Sequence, residues 1–161
     1  MKTIVLIRHA KSSWDYDVID QNRPLSNRGI NDANLLSNHF KSFGFKPDAI
    51  FSSPANRALT TCNIFIKNLN YHEKLLSVND QLYDFGGNLV ANFIKFFSDD
   101  FEKVMIFGHN HAFTSIANSF GDKNIDNVPT CGLVMIEFDV ESWIETRKGK
   151  TKLTIFPRDL K

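Results

Sequence analysis

Apolar residues occur along this chain in two patterns, short continuous runs and longer stretches with helical spacing. Continuous runs rich in β-branched and aromatic residues are typical of strands that are covered on both faces of a sheet. Runs of this kind are residues 3–7, 48–51 and 103–107. Apolar positions with a period near 3.6 predict helices over residues 26–43, 55–69, 89–97 and 112–120.

The order of these elements predicts the fold class. Strands alternate with helices, and a further short strand is expected over residues 75–78. Near the end of the chain, residues 133–139 and 153–156 are two strands linked by a turn-rich segment, and we expect one of them to lie antiparallel at a sheet edge. The sequence therefore predicts an α/β protein, a three-layer α/β/α sandwich with a mostly parallel central sheet, in which residues 1–161 form a single domain.

Local signals predict where the first two helices begin and end. The first helix begins near Ser26, and Gly44 is expected to end it. For the second helix, Ser53 is a good N-cap and Pro54 suits the first helical position. Arg57 then lies in the first turn, off the apolar stripe that faces the core.

Three of the predicted strands lead into residues that can hold or transfer a phosphoryl group. Arg8 and His9 follow the first strand, Arg57 follows the second, and Gly108 and His109 follow the strand over residues 103–107. Ligands of open parallel sheets bind beyond the carboxyl ends of the strands. A single strand-end histidine is usually only a polar terminus, but two arginines and two histidines at one crevice suit a phosphoryl group.

These residues stand in motifs that resemble the histidine phosphatase superfamily, which includes the cofactor-dependent phosphoglycerate mutases. The motifs are Arg8-His9, Ser52-Ser53-Pro54 with Arg57-Ala58 and Thr60-Thr61, and Gly108-His109. Residues 8–14 and 23–29 look most like the short SixA-type phosphohistidine phosphatases. Two positions depart from the wider pattern: Ala10 replaces a glycine, and His111 stands where a proline is common. The resemblance implies a phosphoglycerate mutase-like fold and phosphatase activity.

The chemistry of the residues assigns roles to this set. Arg8 and Arg57 stay protonated and can neutralise phosphoryl oxygens. His9 must be neutral to attack phosphorus, so one ring nitrogen should hold its proton against an acceptor such as a backbone carbonyl. We predict that His9 is the nucleophile and forms a phosphohistidine intermediate that water hydrolyses, a role that the resemblance also implies. His109 is expected to donate a hydrogen bond to a phosphoryl oxygen.

Other candidate residues are less tightly specified by the sequence. We predict Arg23 as a third phosphate-binding arginine, the alternative being an ion pair with Asp20. Asp84 is the candidate general acid, because larger superfamily members often carry a carboxylate in a similar segment. Lys11 and Trp14, in the long polar segment 11–24, either line the substrate entrance or pack within the loop.

The leaving group favours one substrate class. Imidazole is a much weaker base than an alkoxide, so it departs without strong acid help. We therefore predict hydrolysis of phosphohistidine on a protein, for example a phosphorelay component. A phosphatase of a small-molecule phosphomonoester is the alternative, and a phosphate-binding module without turnover is a third hypothesis.

Composition and residue spacing bear on the binding partners, the metal content and the location of the protein. The formal net charge of +1 gives no general attraction to nucleic acid, and no apolar run is long enough to span a membrane. His109 and His111 form a His-x-His pair without an acidic or cysteine partner, so no metal site is predicted. We expect a metal-independent enzyme without a cofactor, located in the cytoplasm.

Overall fold

A computed structural model describes residues 1–161. The strands are β1 (Lys2–Arg8), β2 (Ala49–Ser52), β3 (Leu76–Val78), β4 (Lys103–Gly108), β5 (Leu133–Phe138) and β6 (Lys150–Ile155). The α-helices are α1 (Asn27–Phe40), α2 (Asn56–Leu69), α3 (Asn88–Lys95) and α4 (Ala112–Phe120). None of these helices has the length and apolar character needed to cross a membrane.

The six strands form one mixed sheet in the order β3-β2-β4-β1-β5-β6. The first four strands in this order are parallel to one another, and β5 is antiparallel to both β1 and β6. The predicted α/β class is confirmed. The expectation that one of the last two strands lies antiparallel at a sheet edge is also confirmed, by β6, which pairs antiparallel with β5. β5 itself lies inside the sheet. Its mostly buried, apolar residues suit that position, whereas the half-exposed, lysine-containing β6 suits an edge.

Alternate side chains of the central strands enter two separate cores. Ile4 and Leu6 of β1 pack on one face with α3 and α4, whereas Val5 and Ile7 pack on the other face with α1 and α2. All four side chains are fully buried, as the period-2 geometry of a strand between two helical layers requires. The result is the predicted three-layer arrangement.

The ends of the first helix follow the sequence signals, whereas the start of the second does not. The Ser26 hydroxyl accepts a hydrogen bond from the Gly29 N–H, and Gly44 adopts the left-handed conformation just after α1 and the short 3₁₀ turn that follows it. The predicted cap of α2 is wrong, because that helix begins at Asn56 and its N-cap is Ala55. Ser53 serves the candidate site described below instead.

Candidate active site

The register of three parallel strands places their following residues side by side. Arg8 of β1 pairs with Gly108 of β4, and Ser52 of β2 pairs with Phe107. Hydrogen bonds extend this register by one residue: the His9 N–H donates to the Gly108 carbonyl at 2.9 Å, and the Ser53 N–H donates to the Phe107 carbonyl at 3.0 Å. His9, His109 and Ser53 therefore meet at the carboxyl edge of the sheet.

His9 is held in one tautomer by the backbone. Its Nδ1 lies 2.7 Å from the Ala10 carbonyl oxygen, and because a carbonyl can only accept, Nδ1 carries the proton and Nε2 keeps its lone pair. The Ala10 N–H donates to the Thr61 hydroxyl, which donates to the Arg57 carbonyl. Burial, reinforced by Arg57 and the other arginines nearby, lowers the pKa of His9 to about 3. The ring is therefore neutral at physiological pH, as a nucleophile must be.

His109 lies directly beside His9, with 5.2 Å between the ring centroids. Its Nε2 is 2.8 Å from the Ser53 hydroxyl oxygen, and its Nδ1 is buried without a protein partner. The same Ser53 oxygen accepts from the Ala55 N–H. If the hydroxyl donates to Nε2, the His109 proton resides on Nδ1. Burial and the adjacent His9 lower the pKa of His109 to about 3, so this ring is also neutral.

Three arginines surround the two histidines, and their hydrogen-bonding capacity is incompletely used. Arg8 donates to the Val128 carbonyl at 2.9 Å, and Arg57, only 2% exposed, donates through Nη1 to the Asp20 carbonyl at 2.8 Å. Buried nitrogens without a hydrogen-bond partner are Arg8 Nε, Arg23 Nε and Nη1, Arg57 Nε and His109 Nδ1. Burial, together with the charge of Arg57, lowers the pKa of both Arg8 and Arg23. Buried donors of this kind without partners indicate a binding site for an anion.

Asp20 lies between Arg23 and Arg57 and contacts both. It was not predicted as a site residue. Its carboxylate accepts from Arg57 Nη2 at 3.0 Å and from the Tyr83 hydroxyl at 2.5 Å, and it lies 3.4 Å from Arg23 Nε. Burial opposes ionisation, yet the hydrogen bonds from Tyr83 and Arg57 hold the pKa of Asp20 below its usual value. The ion pair considered as the alternative for Arg23 is thus present, and the same arginine also contributes to the lowered pKa of His9.

The segment that contains Asp84 contacts the site through other residues. Tyr83 and Phe85 lie 5.2 and 5.1 Å from the His109 ring, measured between centroids. The Asp84 carboxylate instead accepts from the N–H groups of Gly86, Gly87 and Val90 at the start of α3. No hydrogen bond or ion pair joins it to His9 or His109, and its role as general acid stays a prediction.

The remaining candidates lie around the site. The Trp14 ring covers the Arg23 guanidinium, with 3.5 Å from Cζ to the ring centroid. Lys11 is exposed, but its carbonyl accepts from the N–H and the hydroxyl of Ser26. His111 is exposed at the start of α4. The structure therefore brings Trp14 to the cluster, and it orders the Lys11 backbone against the start of α1.

Two glycines allow the close approaches that form this edge. A Cβ atom at Gly29 would lie 2.1 Å from the Lys11 carbonyl oxygen, so only glycine lets α1 approach the segment that follows His9. A Cβ at Gly108 would lie 2.7 Å from the Phe113 ring. Glycine at both positions therefore serves backbone packing next to the site.

The site is distinguished by its charge rather than by its volume. The largest surface cavity, about 710 Å³, lies beside the second half of α2 and contains none of the residues described above. No group of three or more histidine, cysteine, aspartate or glutamate side chains is placed to hold a metal ion. The strand-end cluster offers fixed positive charge, two neutral imidazoles and donors without partners, which together can bind a tetrahedral anion and attack it.

Comparisons with solved structures support this description at the level of the fold. A protein of Agrobacterium tumefaciens assigned as the phosphohistidine phosphatase SixA superposes with a TM-score of 0.82 at 21% identity, over 97% of this chain and 98% of that one. The protein histidine phosphatase SixA in complex with tungstate gives 0.83 at 20% identity, over 99% of both chains. A phosphoserine phosphatase of Entamoeba histolytica gives 0.67 at 14% identity, over 100% of both.

Sequence comparisons identify the family. An uncharacterised chloroplastic protein of Arabidopsis thaliana is 27% identical in an alignment that covers 89% of this chain and 70% of that protein. The family model for branch 1 of the histidine phosphatase superfamily matches residues 4–85. That match includes His9 and Arg57 with their surrounding motifs. The chain therefore belongs to branch 1 of the histidine phosphatase superfamily.

Proposed function

We propose that this protein is a phosphatase that hydrolyses phosphohistidine on a protein through a covalent intermediate on His9. The observation that carries the proposal is the set of buried arginine and histidine nitrogens without protein partners beside a histidine whose Nε2 is unprotonated. The charge of a phosphoryl group is spread over its non-bridging oxygens, so positioning and neutralisation are the main tasks of the protein. Arg8, Arg57 and Arg23 supply this neutralisation in the proposed complex.

The reaction proceeds by two displacements at phosphorus. In the first, the His9 Nε2 lone pair forms a bond to phosphorus while the bond from phosphorus to the substrate imidazole breaks. The substrate ring carries a proton on its other nitrogen, so the leaving nitrogen keeps that electron pair and the ring departs as neutral imidazole. In the second, a water oxygen attacks phosphorus, the bond to His9 breaks, and inorganic phosphate leaves. His109 donates from Nδ1 to a phosphoryl oxygen in both transition states.

The fold likeness and the position of Asp84 favour phosphohistidine over a phosphomonoester. Two SixA structures superpose with TM-scores of 0.82 and 0.83, against 0.67 for the phosphoserine phosphatase. A phosphomonoester needs an acid to protonate its alkoxide, and the Asp84 carboxylate already accepts three backbone N–H groups. Imidazole needs little acid assistance, because its conjugate acid has a pKa of roughly 6.5.

A substrate panel on the wild type and on Asp84→Asn tests the substrate class. We expect rapid turnover of a phosphohistidine protein, slow turnover of an alkyl phosphate, and little change in either with the substitution. An aryl phosphate, whose leaving group is also weakly basic, should be similarly insensitive. Rapid alkyl phosphate hydrolysis that falls by roughly 10²-fold in Asp84→Asn would identify Asp84 as the general acid and the substrate as a small phosphomonoester. Ratios between substrates within one variant cancel any loss of folded protein.

Chelation tests the proposed independence from metal ions. We expect turnover to survive exhaustive chelation, because the three arginines supply the positive charge that a divalent ion supplies in other phosphatases. Loss of activity that one metal restores would contradict this part of the proposal. The phosphorelay partner and the cytoplasmic location stay predictions.

A further inference from the structure

Three aromatic side chains border the proposed phosphate site, and the mechanism above does not use them. This aromatic rim consists of Trp14, Tyr83 and Phe85. Trp14 covers Arg23 at 3.5 Å, and the rings of Tyr83 and Phe85 lie 5.2 and 5.1 Å from His109. Each member of the rim thus contacts either Arg23 or His109.

Contacts connect the rim into one continuous arc. Arg23, beneath Trp14, pairs with Asp20, which accepts from the Tyr83 hydroxyl. The Tyr83 ring contacts Phe85 edge-on at 5.5 Å between centroids. The rim is therefore ordered by the same ion pairs that hold the arginines, and any movement of Asp20 would shift both.

The rim leaves much aromatic surface open to solvent. Trp14 is 75% exposed and Phe85 is 50% exposed, whereas Trp143, the other tryptophan, is fully buried. Large exposed aromatic residues in contact with Arg23 and His109, which both keep buried nitrogens without a hydrogen-bond partner, indicate a ligand surface rather than packing residues. The open faces lie one side chain away from the groups that would hold the phosphoryl oxygens.

We propose that the aromatic rim is the leaving-group subsite and selects a flat heteroaromatic ring bonded directly to phosphorus. This inference rests on the proposed function and specifies how the same site recognises imidazole. A phosphoryl group held by the cluster carries its leaving group outward to within reach of the rings that pack on Arg23 and His109. Offset or edge-to-face contact with a planar ring is favourable, and an amine or alkyl group gains much less from it.

Two small substrates with the same type of bond test the subsite. Phosphoimidazole and phosphoramidate both present a P–N bond, but only the first carries a ring. We expect the ratio of their kcat/KM values to fall about two- to tenfold in Trp14→Ala and in Phe85→Ala, the effect of losing one aromatic contact. Trp14→Phe should restore most of the ratio. Phe96→Ala is the matched control, because Phe96 is an equally exposed aromatic residue, 78% exposed at the end of α3, and is not part of the aromatic rim.

The outcomes separate this inference from the proposed function. An equal loss of kcat/KM for both substrates would mean that the rim only supports the arginines and histidines of the proposed phosphate site. It would contradict the proposed leaving-group subsite. A loss seen only with a phosphohistidine protein, and with neither small substrate, would assign the rim to protein docking and also overturn it. If the wild type hydrolyses neither small substrate nor a phosphohistidine protein, the proposed function itself fails.

Discussion

Buried cations occur at both ends of the central sheet, and they differ in what they bind. At the amino edge, Lys2 is 3% exposed and donates to the carbonyls of Asp99 and Phe101 at 2.7 and 2.9 Å. At the carboxyl edge, Arg57 is just as buried, yet its Nε has no partner, and neither has His109 Nδ1. A folded chain normally satisfies its buried polar groups, because an unmade hydrogen bond costs about 1–3 kcal/mol.

The two edges differ in whether the protein itself satisfies the hydrogen-bonding groups of its buried cations. At the amino edge the lysine donors find acceptors within the protein, and the neighbouring exposed Asp99 carboxylate accepts from the Trp143 N–H and the Ser142 hydroxyl. The carboxyl edge keeps like charges together and leaves their donors free. Such an arrangement lowers stability in the absence of a ligand, and it is expected where binding an anion repays the cost.

The largest effect should come from removing the groups that are proposed to donate hydrogen bonds to the phosphoryl oxygens. We expect Arg57→Ala and His109→Ala each to lower kcat/KM by about 10²–10³-fold, the loss typical of one donor that stabilises transition-state charge. Steady-state kinetics with a phosphohistidine protein measures this loss. Arg158→Ala is the control, since its side chain is 75% exposed on the far C-terminal segment. A tenfold or smaller loss for Arg57→Ala would place that residue outside the reaction.

An oxyanion that binds at the carboxyl edge should stabilise the folded protein. Tungstate at about 100 times its Kd should raise the free energy of unfolding of the wild type by about 2.7 kcal/mol. At the same concentration the free energy of unfolding of Arg57→Ala should rise much less, because one of the three arginines of the proposed phosphate site is missing. Thermal or urea unfolding with and without tungstate measures both. Equal stabilisation of the two proteins would show that the anion binds elsewhere.

At the amino edge we expect a substitution to lower the stability of the protein and to leave its activity unchanged. We expect Lys2→Ala to lower the free energy of unfolding by about 1–3 kcal/mol, because the two carbonyls lose a charged donor. Its kcat/KM should stay within about twofold of the wild type, since the lysine is at the other end of β1 from His9. Urea unfolding and kinetics on the same preparation test this pair of expectations. A large kinetic loss in fully folded protein would mean that the two edges are coupled.

The two histidines should also make the stability of the folded protein depend on pH. Their pKa values in the folded protein are lowered to about 3 from 6.5. Below pH 6.5 the unfolded chain therefore binds protons that the folded protein does not, and stability is complete above this pH and falls as the pH falls. Each histidine should contribute a slope of about 1.4 kcal/mol per pH unit well below 6.5. His9→Asn should lose its share, which urea unfolding from pH 7 to 4 measures, and an unchanged slope would contradict the buried, neutral His9.

Residues fixed by strand register could be predicted from the sequence, and residues fixed by loops could not. Apolar runs located β1, β2 and β4, and parallel register then placed His9 and His109 together. Which of the last two strands takes the sheet edge was left open, because the hydrophobic pattern of a strand does not show which neighbours it pairs with. Asp20, Tyr83 and Phe85 reach the site through turns that have no periodic signal, so only the ion pair of Asp20 with Arg23 was anticipated. Ser53 has the sequence signal of a helix cap but pairs with His109.

The most direct test of the account is to identify the atom that accepts the phosphoryl group. Rapid quenching of the wild type with a ³²P-labelled phosphohistidine protein should trap label on His9, as an adduct that acid hydrolyses and alkali preserves. His9→Ala should carry no label and should lose at least about 10³-fold in turnover. A His9→Ala protein that turns over at near the wild-type rate, or label on another residue of an active wild type, would contradict the central claim.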